Sequence, residues 1–180
     1  MRSYLILLLS LVIPIVCTAQ DEVSDDDSAA MIASAVSAAP ASLSDSAAVM
    51  DWNNNTLREG SNGFTCFPDN PETDGNDPAC LDSEWIAFFG AWMNKEEYKP
   101  SGYGVGYMLV GSSPNSNTDP FAEGPTDDNE WMTESMPHVM VIVPDPSTLD
   151  GMNTDPNTGT PFVMWRGTDM AHIMMPMPGQ

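Results

Sequence analysis

Basic residues are scarce in this chain. Lys and Arg number 5 against 26 Asp and Glu, a formal net charge of −21 at pH 7. A surface of that sign repels nucleic acid and anionic lipid and excludes both as partners, while it draws in cations. Histidine is scarcer still, with only His138 and His172. Cysteine occurs three times, at Cys17, Cys66 and Cys80, and no pair has zinc-site spacing. No Gly-x-Ser-x-Gly elbow is present. The glycines of "GYGVGY" at 102–107 are followed by neither a helix start nor Lys-Ser/Thr, so they are not a phosphate loop. Glycine in a strand more often lets a neighbouring element approach closely.

Long apolar runs are absent except at the start. "MRSYLILLLSLVIPIVCTAQ" has Arg2 before an apolar stretch from Leu5 to Val16, then small residues at Cys17 and Ala19. This pattern predicts a signal peptide over 1–19, too short to serve as a membrane span. Its removal leaves roughly 160 residues, one domain's worth, with no membrane segment. We expect an acidic flexible segment at 20–27 and a single domain over 28–180. Export to a periplasmic or extracellular space suits the remaining cysteines. Cys66 and Cys80 are expected to form a disulfide, which would stabilise by about 3 kcal/mol for a loop of about 15 residues.

What is present organises the domain. "AAMIASAVSAA" has small apolar residues at helical spacing behind a run of acids, and Pro40 ends it. "AAVMDWNNNTLREGSNGFTCFP" reads as short strands joined by turns. "DNPETDGNDPAC" is a polar loop inside the disulfide, and it fails the calcium-loop pattern because Leu81 stands where a bidentate Glu belongs. "LDSEWIAFFGAWMNKEEY" is the clearest helix, capped by Asp82 or Ser83, with Trp85, Ile86, Phe89, Trp92 and Met93 on one broad face. Strands follow at "GYGVGYM", "PHVMVIVP", "FVMW" and "AHIMMPM". The expected fold class is α+β, a mostly antiparallel sheet of about 5 short strands with two helices packed on it.

The stretches "SNGFTCFPDNPETDGNDPACLDSEW", "NTDPF", "PHVMVIVPDP", "TDPNTGTPFVMWRGT" and "AHIMMPM" resemble a family of uncharacterised small secreted bacterial proteins. The resemblance covers nearly the whole mature chain. It implies an exported, single compact domain and brings no activity, cofactor or catalytic residue with it. The family pattern is Pro-His-aliphatic-Met and Ala-His-aliphatic-Met. Pro137–His138–Val139–Met140 and Ala171–His172–Ile173–Met174 match it, while Met136 and Met170 lie outside it.

Both histidines sit within Met-x-His-x-Met, at "MPHVM" and "MAHIM". On strands, His138 shares a face with Met140, and His172 with Met174. Were the strands to pair with the imidazoles side by side, imidazole and thioether donors would suit copper. His138, His172, Met140 and Met174 are therefore the candidate metal ligands, and copper is the candidate cofactor. Ordinary packing competes with this, since methionine is an adaptable core filler and the chain has 14 of them. Trp52, Trp131 and Trp165 lie off the main helix and are candidates to line a groove. The functional expectation is a non-enzymatic module binding a cation, metal or small ligand. The alternative is a small hydrolase-like enzyme using His138 or His172 as general base, with Ser135, Thr133 or Thr168 as nucleophile, helped by Asp145, Asp150, Asp169 or Arg166.

Overall fold

A computed structural model describes residues 25–133 and 136–178. The signal segment expected at 1–19 lies outside the described residues. The helices are α1 (Asp25–Val36), the single turn α2 (Ala41–Ser44) and α3 (Ser83–Asn94), with 3-10 turns η1 (Pro146–Leu149) and η2 (Pro156–Thr158). The strands are β1 (Ala48–Met50), β2 (Thr56–Arg58), β3 (Thr65–Phe67), β4 (Ala79–Leu81), β5 (Gly104–Met108), β6 (Asn115–Ser116), β7 (Trp131–Met132), β8 (His138–Ile142), β9 (Phe162–Met164) and β10 (His172–Pro176). Helix α1 opens at Asp25, inside the segment expected to be flexible, with three acids in its first turn.

The expected α+β fold with about 5 strands is corrected. The molecule is mostly β: one mixed sheet of 8 strands runs β2-β1-β3-β4-β5-β8-β10-β9, and β6 and β7 form a separate ribbon. The β1–β3 pair is parallel and the other neighbours are antiparallel. Five of the sheet's strands are only three residues long. Two of those five, β4 and β9, are buried at every position. Three residues cannot display an alternating pattern, and strands covered on both faces lose the polar half of it.

Side chains of opposite character leave the two faces. One face carries Val49, Cys66 and Cys80, covered by Ala35, Ala38 and Ala39 at and beyond the end of α1. Cys66 and Cys80 are direct cross-strand partners and form the expected disulfide. The other face carries Leu81, Met140, Ile142, Phe162, Met164 and Met174 beneath Trp85 and Phe88 of α3. Gly104 and Gly106 set the height of α3. A Cβ at Gly104 would lie 2.9 Å from Glu84 Cβ, and one at Gly106 would lie 3.0 Å from Met140 Cε and 3.3 Å from Trp85 Cδ1.

Helix α3 is held at both ends. Asp82 accepts from the Trp85 N–H at 3.0 Å and from the Val105 N–H at 2.6 Å, tying the helix start to β5. Lys95 takes the left-handed conformation at the C-cap, and its N–H reaches Ala91 O and Trp92 O. The apolar stripe sits differently from the sequence expectation. Trp85 and Phe88 are the buried pair, while Ile86 is 39% and Met93 69% exposed. With apolar residues almost all round, α3 is rotated by its cap and its glycine floor rather than by its own pattern.

Candidate functional site

The register of β5, β8, β10 and β9 orders the floor beneath α3. Met108 lies opposite His138, Met140 opposite Met174, and His172 opposite Met164. His138 lies opposite Pro176, so His172 is offset from it by four residues, about 14 Å along the strands. Direct pairing of the imidazoles, which the sequence echo suggested, is not what this register makes. Each histidine instead faces a methionine on a neighbouring strand, and Met140 and Met174 pair between them.

Both imidazoles are set in the same way. His138 Nδ1 lies 2.7 Å from Met136 O, and His172 Nδ1 lies 2.9 Å from Met170 O. A carbonyl only accepts, so the proton is on Nδ1 and Nε2 keeps its lone pair. Among the described residues, neither Nε2 has a hydrogen-bond donor. Burial holds both rings neutral. It lowers the His172 pKa to about 4 against the opposing pull of Met170 O, with a smaller lowering from His138. His138 is lowered for the same first reason.

Above the floor is a cavity of about 550 Å³. All five tryptophans line it, namely Trp52, Trp85, Trp92, Trp131 and Trp165, together with both histidines and half of the 14 methionines. Trp52, Trp92 and Trp165 donate their indole N–H to Pro68 O, Pro120 O and Ser116 O respectively. Trp85 Nε1 is buried without an acceptor among the described residues. Such an orphan donor costs about 1–3 kcal/mol. Trp165 adds backbone strain at the wall, with φ at 55° for a bulky side chain. Its N–H to Asn117 O (2.8 Å), its indole bond and its stacking on Phe88 at 5.9 Å hold it there. His172 is packed edge-on among Trp85, Phe88 and Trp165, with ring centroids 5.1, 5.5 and 5.1 Å away.

The mouth is acidic. Glu72, Asp74, Asp77 and Glu123 line the cavity, and among the described residues no Lys or Arg does. Asp77 is held in place, accepting from Asn70 N–H at 3.2 Å and Ser113 Oγ at 2.6 Å, while its own N–H donates to Asp69 at 2.8 Å. The disulfide loop is thereby a fixed rim. Glu123 pairs with Lys95 at 3.7 Å in open solvent.

The residues proposed for hydrolysis have other partners. Arg166 donates to Leu149 O and Met152 O. Asp145 caps η1, Asp169 accepts the Tyr98 N–H, and Thr168 Oγ1 donates to Trp165 O. Ser135 lies outside the described residues. Among the described residues, no three His, Cys, Asp or Glu side chains cluster as a metal site would. Nor is any helix there long and apolar enough to cross a membrane. Sequence reasoning missed Phe88, Met108 and Met164 as site residues. The methionines become visible only through strand register.

Comparison with protein-family models, curated proteins and solved structures finds no match to this chain.

Proposed function

We propose that this is an exported, non-enzymatic binding module that takes a small, largely apolar molecule into the cavity under α3. One observation carries the reading: all five tryptophans and both neutral histidines converge on a single space of about 550 Å³. Small-molecule sites typically occupy about 300–1,000 Å³, with apolar walls and a few convergent polar groups. Here those groups are two Nε2 acceptors, which a donor on a bound molecule would satisfy. The disulfide fits an oxidising compartment, in keeping with the resemblance to small secreted bacterial proteins. The acidic surface argues against nucleic acid or anionic lipid as partner.

N-phenyl-1-naphthylamine, a neutral fluorescent probe, tests the reading. Saturable enhancement with micromolar affinity is expected. Met132→Trp, at a half-buried wall position, is expected to weaken it roughly tenfold with an unchanged circular dichroism spectrum. No saturable signal, or equal binding by the variant, overturns it.

A second reading is favoured by the register itself. Cross-strand Met108–His138 and Met164–His172 pairs put a thioether beside each imidazole, with Met140 and Met174 adjacent. Metal-bound histidines characteristically donate their second nitrogen to a carbonyl, as both do here. Soft donors of this kind suit Cu(I). Competition for Cu(I) against bicinchoninate, with His138→Ala and Met108→Leu beside the native chain, tests it. Stoichiometric binding lost in both variants is expected. The hydrolase alternative gains no such support, because among the described residues no hydroxyl bonds either Nε2.

A further inference from the structure

We infer that the cavity selects organic cations, specifically a protonated amine carried on a flat apolar body. The inference rests on the cavity being a small-molecule site, and it assigns the ligand's charge. Three independent features agree. First, the walls are π-faces: Trp85, Trp92 and Trp165 surround the space with Phe88 and Phe89. Trp165 stacks parallel to Phe88, and Trp92 lies 5.7 Å from Trp165, so the rings form a fixed cage rather than separate side chains. The negative face of an aromatic ring attracts a cation within about 6 Å, most strongly for tryptophan.

Second, the polar atoms at the floor suit an ammonium group. An ammonium offers donors and no acceptor, and either His138 Nε2 or His172 Nε2, set four residues apart in register, is a lone-pair acceptor for one of them. Both rings are neutral and do not repel positive charge. A carboxylate or phosphate would meet these lone pairs with its own and, among the described residues, find no Lys or Arg on the walls.

Third, the approach is acidic. Glu72 and Asp74 are exposed at the mouth, and Asp77 is oriented there by Ser113 and Asn70. With a net charge of −21 behind them, they raise the local concentration of cations and speed their entry.

The test uses the mature chain and three probes sharing one ring system: 1-naphthylmethylammonium, 1-naphthylmethanol and 1-naphthoate, titrated by calorimetry at neutral pH. The ammonium is expected to bind roughly tenfold more tightly than the alcohol, and the naphthoate most weakly. The margin should narrow as salt rises. A second arm uses the Glu72→Gln/Asp74→Asn variant, whose changes are in solvent and leave the fold intact. It should weaken the ammonium several-fold and leave the alcohol unchanged. Alcohol binding as tight as the ammonium overturns cation selectivity while leaving the binding module standing. Naphthoate binding tightest does the same. An ammonium advantage untouched by the double variant removes the rim from the inference. Saturable binding by none of the three overturns the binding module together with the inference.

Discussion

The two faces of the sheet are built on opposite rules. Under α1 the contacts are made by Ala35, Ala38, Ala39 and Ala47 against Val49 and a disulfide, and all of these are buried. Small side chains let α1 lie close to the sheet, with Leu57, Phe64 and Tyr107 packed at the margin of the cluster. Under α3 the contacts are made by indoles, phenyls, thioethers and imidazoles. These rings meet edge to face, tilted and, at Phe88 and Trp165, stacked, and a cavity remains beside them. The strained Trp165, the unpaired Trp85 N–H and the two neutral imidazoles all lie on this face. The contrast separates stability from function: one face is packed as a core, and the other keeps costs that packing alone would have removed.

The largest expected effect comes from collapsing the α3 face. Phe88→Ala removes the ring that touches Trp85, Tyr98, Trp165 and His172, and should cost about 4 kcal/mol in urea unfolding, as large-to-alanine core changes do. A cost below 1 kcal/mol would mean that the aromatic cluster does not anchor the helix.

Acid should attack the same face. The His172 pKa of about 4 in the folded chain lies below the ordinary 6.5, so the unfolded chain takes up the proton first. Stability is then level above pH 7 and falls as pH drops from 6.5 toward 4, by about 3 kcal/mol in all. His138 shifts in the same direction and adds to the fall. Glu84 and Asp51 contribute only at lower pH. Burial raises each, but hydrogen bonds from Ser101 and Tyr98 to Glu84, and from Asn55 and Asn53 to Asp51, hold them below their usual values. Urea midpoints from pH 7.5 to 4.5 should show the slope, and His172→Phe should flatten it. An unchanged slope would remove His172 as its source.

Enlarging a side chain should divide the faces directly. Ala35→Leu, on a fully buried position of α1, overpacks the alanine face and should cost about 2 kcal/mol. Met132→Trp, at the cavity wall, should change stability by less than about 1 kcal/mol. Equal costs in thermal melts would show that the cavity does not accommodate added volume.

The smallest effect is the most discriminating. Trp85→Phe deletes an unpaired N–H and keeps most of the ring. Apo stability should stay within about 1 kcal/mol of the native chain, because the lost area and the relieved orphan donor oppose each other. A larger change in urea unfolding, in either direction, would show that one of the two outweighs the other.

Much of this was legible residue by residue. The strands at 104–108, 138–142, 162–164 and 172–176, the α3 helix with its Asp82 cap and the Cys66–Cys80 bridge all follow patterns readable locally. The short strands β1 to β4 were legible only as a turn-rich region, and the sheet was undercounted because three buried residues carry no period. For the candidate site, His138, His172, Met140 and Met174 were visible as an echo, and Trp52, Trp131 and Trp165 as candidates to line a groove. Met108, Met164 and Phe88 were not, since their roles depend on a neighbour far away in sequence.

What the sequence determined by itself was composition and local preference: the acidic field, the cysteine pair, the capped aromatic helix and the alternation that puts His138 with Met140 and His172 with Met174. These depend on residues within a few positions of one another. Tertiary structure alone decided the rest. Strand register placed a methionine opposite each histidine and kept the two histidines from pairing directly across the strands. The glycine floor of β5 and the Asp82 link set which side of α3 faces inward, and so which rings enclose the cavity. Register and helix rotation are properties of long-range contacts, where a shift of one residue exchanges one face for the other.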